Sequence, residues 1–261
     1  MINHIETLDT FDIHSLPNLD IAVLGALQLF QEQSVPRVDV SSYAHPLVVG
    51  SGNAEATGRI IFEDVDAVFA SESNYEEKLR HIESIDEVII VSASGGKHAP
   101  LIAKIARQYG KHVTLVTNTP HSPAAIALEG DTMMNELVFP KNREPYTYNT
   151  STYMGMILGK TGEDPALIEQ YIHEHIDSIQ WPDFSPLTKY YVIVPPQFSN
   201  MVRMLQVKFI ELFGRNIARD VETSEYVRHA TTVAPSDELF ICFGEPNETW
   251  GAPERRLNIP L

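Results

Sequence analysis

The residues whose types and spacing offer the clearest chemistry are Ser92 and Ser94, set in Ser92-Ala93-Ser94-Gly95-Gly96. An apolar β-branched run, Val88 to Val91, leads into them. An amphipathic helical pattern follows, with Leu101, Ile102, Ile105 and Ala106 read on one face. A second buried run, Val113 to Val116, then ends at Thr117. The pattern predicts a β–loop–α–β unit with small hydroxyls at the strand's carboxyl end. Ser92, Ser94, Gly95 and Gly96, placed before a helix N-terminus, offer short donors and bare amide N–H groups to a phosphate or similar anion. The same residues also read as an ordinary strand-to-helix turn with a serine cap. Two further strand ends carry small polar groups: Gly50-Ser51-Gly52-Asn53, and Thr117 through Ser122. In a parallel sheet, such carboxyl ends are where ligands bind.

The elements needed to position these loops are legible along the chain. Residues 19–33 read as an apolar helix. Leu47 to Val49 read as a strand, 54–63 as a helix, 66–70 as a strand and 75–84 as a solvated helix. After the central unit come a short helix from Ser122 to Leu128, a strand from Met133 to Phe139, and a helix over 146–160. Asp164 caps a further helix running to Ile179, and Trp181 to Pro186 form a loop. A second cycle follows: a strand over 190–195, a helix over 198–213, a short polar helix near 222–230 and a strand over 238–243. The tail from Gly251 to Leu261 shows little pattern and reads as an arm or partner contact. Alternating strands and helices predict an α/β fold, a three-layer αβα arrangement around a parallel sheet.

Composition removes several classes of function. The 261 residues carry 19 Lys and Arg against 35 Asp and Glu, a formal net charge of −16 with His neutral. That balance argues against nucleic acid or an anionic membrane as partner. Cys242 is the single cysteine, so no disulfide framework exists. No apolar run approaches the roughly 20 residues of a membrane span, and Met1 to Thr10 lack a signal pattern. The chain therefore reads as cytoplasmic, and the sequons at Asn149 and Asn247 carry no weight. Gly50 to Gly58 starts like a dinucleotide fingerprint but places Glu55 where a third glycine belongs, opposing a pyrophosphate. Gly95-Gly96-Lys97-His98 lacks the first glycine and the magnesium-binding hydroxyl of a nucleotide-binding loop. His173 and His175 are two apart and point to different faces of a helix, so they form no zinc pair. No Gly-x-Ser-x-Gly elbow is present, and Cys242 falls inside a buried strand.

Taken together, Gly-Ser-Gly after one strand, Ser-x-Ser-Gly after another and Thr-(x)4-Ser after the next resemble the sugar isomerase (SIS) domain family. The resemblance covers residues 45–160, including the polar helix start from Glu144 to Ser151. It is nearest to the phosphoglucose/phosphomannose isomerase type. It implies a phosphosugar ligand, a homodimer, and no metal or organic cofactor. It also implies two tandem subdomains: 1–160 with a helical N-terminal extension, a helical linker over 161–188, and a shortened, degenerate second copy over 189–261. By resemblance, Ser92, Ser94, Gly95, Gly96 and nearby N–H groups hold the phosphate, with Ser51 and Gly52 closer to the sugar. Gly50, Thr117 and Ser122 complete the set. Where the family often places a threonine, this chain has Lys97. Its ammonium either replaces the hydroxyl electrostatically or is simply solvated.

Isomerases of this family carry a glutamate on the first helix of the second half and a histidine some sixteen positions later. Glu211 and His229, eighteen positions apart, occupy comparable places, with Glu222 and Glu225 as rivals. Isomerisation needs one base to move a proton between adjacent carbons and a second group to open the sugar ring. A partly buried glutamate suits the first task and a histidine the second. The resemblance thus implies conversion of an aldose 6-phosphate to a ketose 6-phosphate through an enediolate. Two departures favour a non-catalytic phosphosugar sensor instead. Pro195-Pro196-Gln197-Phe198-Ser199 replaces a Gly-rich turn, and the last lysine is Lys208 rather than one near the C-terminus. A lyase or epimerase on similar substrates is a third reading. His98 and His121 fall at the expected mouth of the site.

Overall fold

The structure is a computed structural model that describes residues 3–214, 216–229, 237–244 and 248–261. The chain divides into two compact units, Met1–Ala166 and Leu167–Leu261. In the first, α1 (His4–Thr10) and α2 (Leu19–Glu32) precede the alternating portion. That portion runs β1 (Leu47–Val49), α3 (Asn53–Ile61), β2 (Val68–Ala70), α4 (Tyr75–His81), β3 (Glu87–Val91), α5 (Ala99–Gln108), β4 (His112–Thr117), α6 (Pro123–Ala127), β5 (Met134–Val138) and α7 (Thr150–Thr161). The five strands form one parallel sheet in the order β2-β1-β3-β4-β5. Chain progression reverses between β1 and β3, so the crevice between their carboxyl ends is the topological switch point.

The strands are apolar on both faces because both faces are covered. On one side Leu47, Val49, Val88, Ile90, Val113 and Leu115 pack with Leu79, Ile102, Ala103 and Ala106. On the other Val48, Ile89, Val91 and Val116 pack with Ile61, Phe139 and Met156. α5 buries Ala99, Ile102, Ala103 and Ala106, one stripe at helical spacing. Leu101, expected on that stripe, is 56% exposed, since it lies about 100° round the helix from Ile102.

In the second unit, α8 (Pro165–Tyr171) continues into a single π-helical turn over Ile172–Ile176, where a plain helix to Ile179 was expected. Then follow β6 (Lys189–Val194), a 3-10 turn over Pro196–Phe198, α9 (Ser199–Phe213), β7 (Ala218–Thr223), α10 (Ser224–Val227), β8 (Leu239–Phe243) and β9 (Arg256–Ile259). The strands are parallel in the order β7-β6-β8-β9, repeating the second-first-third-fourth order of the first unit. Two strands differ from the sequence reading. β7 takes part of the segment read as a polar helix, and the helix that follows is four residues long. The tail supplies β9 at the sheet edge, with Leu257 and Ile259 buried. No helix among the described residues is long and apolar enough to cross a membrane.

Candidate functional site

β3 hands the chain to the Ser-rich loop through Ser92, whose N–H donates to Val116 O at 2.9 Å. The loop's carbonyls are then drawn to one side. Ala93 O accepts from Asn118 N, Thr117 Oγ1 and Thr119 Oγ1 at 3.0, 3.1 and 3.1 Å, and Gly95 O accepts from Ala124 N at 2.8 Å. Gly95 adopts φ +56°, and a Cβ there would lie 2.3 Å from Ser122 Oγ. Only glycine fits that close approach in that conformation. Lys97, at φ +47°, also sits in the left-handed region, an uncommon place for a residue with a side chain. The loop's amides are only partly used. Gly96 N–H donates to Ser94 Oγ at 3.2 Å, while among the described residues the N–H groups of Ser94, Lys97 and His98 find no backbone acceptor.

β1 ends on a second constrained turn. A Cβ at Gly50 would come within 2.8 Å of the backbone of Ala54 and Glu55, so α3 begins directly against the strand end. The two turns and the loop after β2 line an open cleft of about 100 Å³. Gly50, Ser51, Ser92, Ser94, Gly96 and Lys97 line it, together with Glu72, His98 and Ala99. The cleft lies at the β1/β3 switch point. Its groups are small hydroxyls, backbone amides at the start of α5, one exposed ammonium, the His98 imidazole and the Glu72 carboxylate; the hydroxyls, amides and ammonium suit a phosphate.

Other residues of the expected set lie elsewhere. Thr117 is fully buried with its hydroxyl on Ala93 O. Ser122 is fully buried, its Oγ accepting from Ala125 N at 3.3 Å as the cap of α6. Both hold the Ser92–Gly96 loop in shape rather than line the cleft. Gly52 and Gly95, at φ +58° and +56°, are outside the residues lining the cleft. The polar stretch from Glu144 to Ser151 is a cap. The Glu144 carboxylate accepts from Thr150 N at 2.8 Å, from Ser151 Oγ at 2.7 Å and from Thr152 N at 3.3 Å. Glu72 escaped the sequence reading, although an acidic residue two places beyond β2 falls at the same carboxyl edge as the serines. Its Oε1 lies 3.9 Å from His98 Nε2. His121 is exposed, in the left-handed region, and lies outside the residues lining the cleft.

The second unit carries the remaining candidates. Glu211 is on the last turn of α9, with Lys208 Nζ 3.0 Å from its Oε2. It lies about half a turn round the helix from Val202, on the face opposite the one packed on Val192, Val194 and Val221. His229 is exposed just after α10, its N–H on Tyr226 O at 3.2 Å, while Glu222 is half-buried in β7 and Glu225 exposed in α10. The corresponding switch point in this unit is apolar: Val194, Pro195, Phe198, Met201, Leu205 and Phe243 line a cavity there. Asn247 lies outside the described residues. Among the described residues, no group of three or more His, Cys, Asp or Glu is placed to hold a metal.

No family model and no curated protein sequence matches the chain. Solved structures do. The chain is similar to a glucosamine-6-phosphate deaminase from Thermotoga maritima, with 14% identity over 93% of this chain and 83% of that one, at a TM-score of 0.65. It is also similar to a tagatose-6-phosphate ketose/aldose isomerase from Escherichia coli, with 14% identity over 92% and 72% of the two chains, at a TM-score of 0.56. At this identity the likeness shows the fold: parallel sheets flanked by helices, shared with sugar isomerase and deaminase structures.

Proposed function

We propose that this protein binds a phosphosugar in the β1/β3 cleft and isomerises an aldose 6-phosphate to its ketose, acting on a hexose 6-phosphate such as glucose or mannose 6-phosphate. The observation that carries the reading is that Ser51, Ser92, Ser94, Gly96 and Lys97 line one cleft at the switch point. Ser94 and the loop amides hold the phosphate, and Ser51 faces the sugar. Glu211 moves the proton between C2 and C1 through an enediolate, and His229 opens the ring. The protein works as a homodimer in the cytoplasm and needs no metal or organic cofactor.

The test is proton NMR of fructose 6-phosphate incubated with the protein in D2O. Glucose or mannose 6-phosphate, or deuterium at C1, is the expected result. In the Glu211→Gln variant turnover is lost while phosphosugar affinity stays within several-fold. Retained turnover removes Glu211 from the mechanism. One observation favours a second reading, a non-catalytic sensor: the second unit's own switch point is an apolar cavity without hydroxyls. Tight phosphosugar binding with no C1 exchange would select it.

A further inference from the structure

Glu72 is the only carboxylate among the residues lining the cleft. It comes from the loop after β2, whereas the hydroxyls come from the loops after β1 and β3. With β1 between them, the ends of β2 and β3 are roughly 10 Å apart. Yet Glu72 Oε1 lies 3.9 Å from His98 Nε2, so the side chain reaches back across the end of β1 to the start of α5. Both side chains keep solvent access, at 40% and 58% exposure. A carboxylate at the mouth of an anion cleft opposes a bare phosphate. In a chain of net charge −16 the overall field adds to that opposition. The same carboxylate is an acceptor for hydroxyl donors, and a sugar phosphate presents several of them away from its phosphate.

Resting on the phosphosugar reading of this cleft, we propose that Glu72 is its selectivity residue: it disfavours inorganic phosphate and accepts hydrogen bonds from the polyol of a sugar phosphate. Discrimination of this kind works through a repulsive element as well as an attractive one. The ligand class is thus a polyol monophosphate rather than any small dianion. The serine loops alone do not make that distinction, because every phosphate presents them with the same oxygens.

The experiment is calorimetric titration of the full-length protein and of Glu72→Gln and Glu72→Ala with fructose 6-phosphate and with inorganic phosphate. The unaltered protein is expected to prefer fructose 6-phosphate. In Glu72→Gln, inorganic phosphate binds several-fold tighter. In Glu72→Ala, fructose 6-phosphate also loses roughly tenfold, the cost of one hydrogen bond to a charged group. The preference ratio falls in both. A ratio unchanged within about twofold, with both compounds still binding, overturns the role of Glu72 and leaves the cleft assignment standing. Failure of the unaltered protein to bind either compound overturns both.

Discussion

At the scale of single residues, one contact of the Ser92–Gly96 loop leaves no room for a side chain. Ser122 Oγ occupies the space a Cβ at Gly95 would need, at 2.3 Å, and Gly95 sits at φ +56°. Gly95→Ala is therefore expected to destabilise the protein by about 2–4 kcal/mol, from steric conflict and left-handed strain together. It should also abolish phosphosugar binding; urea unfolding and calorimetry check the two effects. Ser94→Ala leaves the fold intact and weakens binding by about 1–3 kcal/mol, the cost of leaving a charged partner short of one donor. Away from the cleft, burial pushes the Glu87 carboxyl up, while the Thr114 hydroxyl that donates to it pulls the other way. A carboxyl raised on folding gives its full stability below the ordinary glutamate range and loses it as pH rises through the folded value. Glu87→Gln keeps an acceptor for Thr114, so it should match the parent near pH 4 and exceed it in stability near pH 7.5. Urea unfolding at the two pH values checks this, and an equal gap at both would show that ionisation plays no part. At this scale the sequence showed which residues are chemical but not what each touches. Ser92, Ser94 and Ser122 look alike in one dimension. The fold puts the first two on a cleft and buries the third under Gly95.

At the scale of elements, the five strands of the first sheet were legible, and the two edge strands of the second, β7 and β9, were not. β1, β3 and β4 are buried runs of Val, Ile and Leu, whose meaning does not depend on their partners. β7 reads Ala-Arg-Asp-Val-Glu-Thr and lies at a sheet edge, with only Val221 and Thr223 buried. Its strand character comes from pairing with β6, which no local propensity reports. β9 is the same case on the opposite edge. Caps show the converse: the run Glu144 to Ser151 was legible as a polar helix start, but its long-range logic was not. Glu144 satisfies the first turn of α7 from six residues upstream, where a cap would normally sit at the helix boundary. Glu144→Ala should cost about 2–3 kcal/mol, since several donors lose a charged acceptor at once. Glu144→Gln should cost less, because its amide oxygen still accepts. Urea unfolding of the pair checks the order, and equal losses would show that the retained amide oxygen contributes nothing and that the carboxylate's charge carries the cap.

At the scale of the whole molecule, the two units share a strand order but have diverged at the same point. In the first, the switch-point crevice is lined with Ser51, Ser92 and Ser94; in the second, Val194, Phe198 and Phe243 hold that place. The repeat was legible because alternating elements survive divergence, and Pro195-Pro196 signalled that the second turn could not copy the first. Sequence could not reveal what fills the second crevice, since Leu205 and Phe243 meet there from distant positions. Two sheets with separate cores predict that, on the proposed function, binding and turnover are separable. Residues 1–166 hold every residue lining the cleft and bury their own core, so that fragment is expected to unfold cooperatively and bind fructose 6-phosphate within several-fold of the full chain. It should catalyse no C1 exchange, because Glu211 and His229 lie in the other unit. Calorimetry and NMR on the fragment check both halves of the expectation. A folded fragment that cannot bind would mean that the second unit supplies contacts to the ligand. A fragment that still exchanges C1 would move the proton-transfer groups into the first unit, with Glu72 and His98 the first to be mutated.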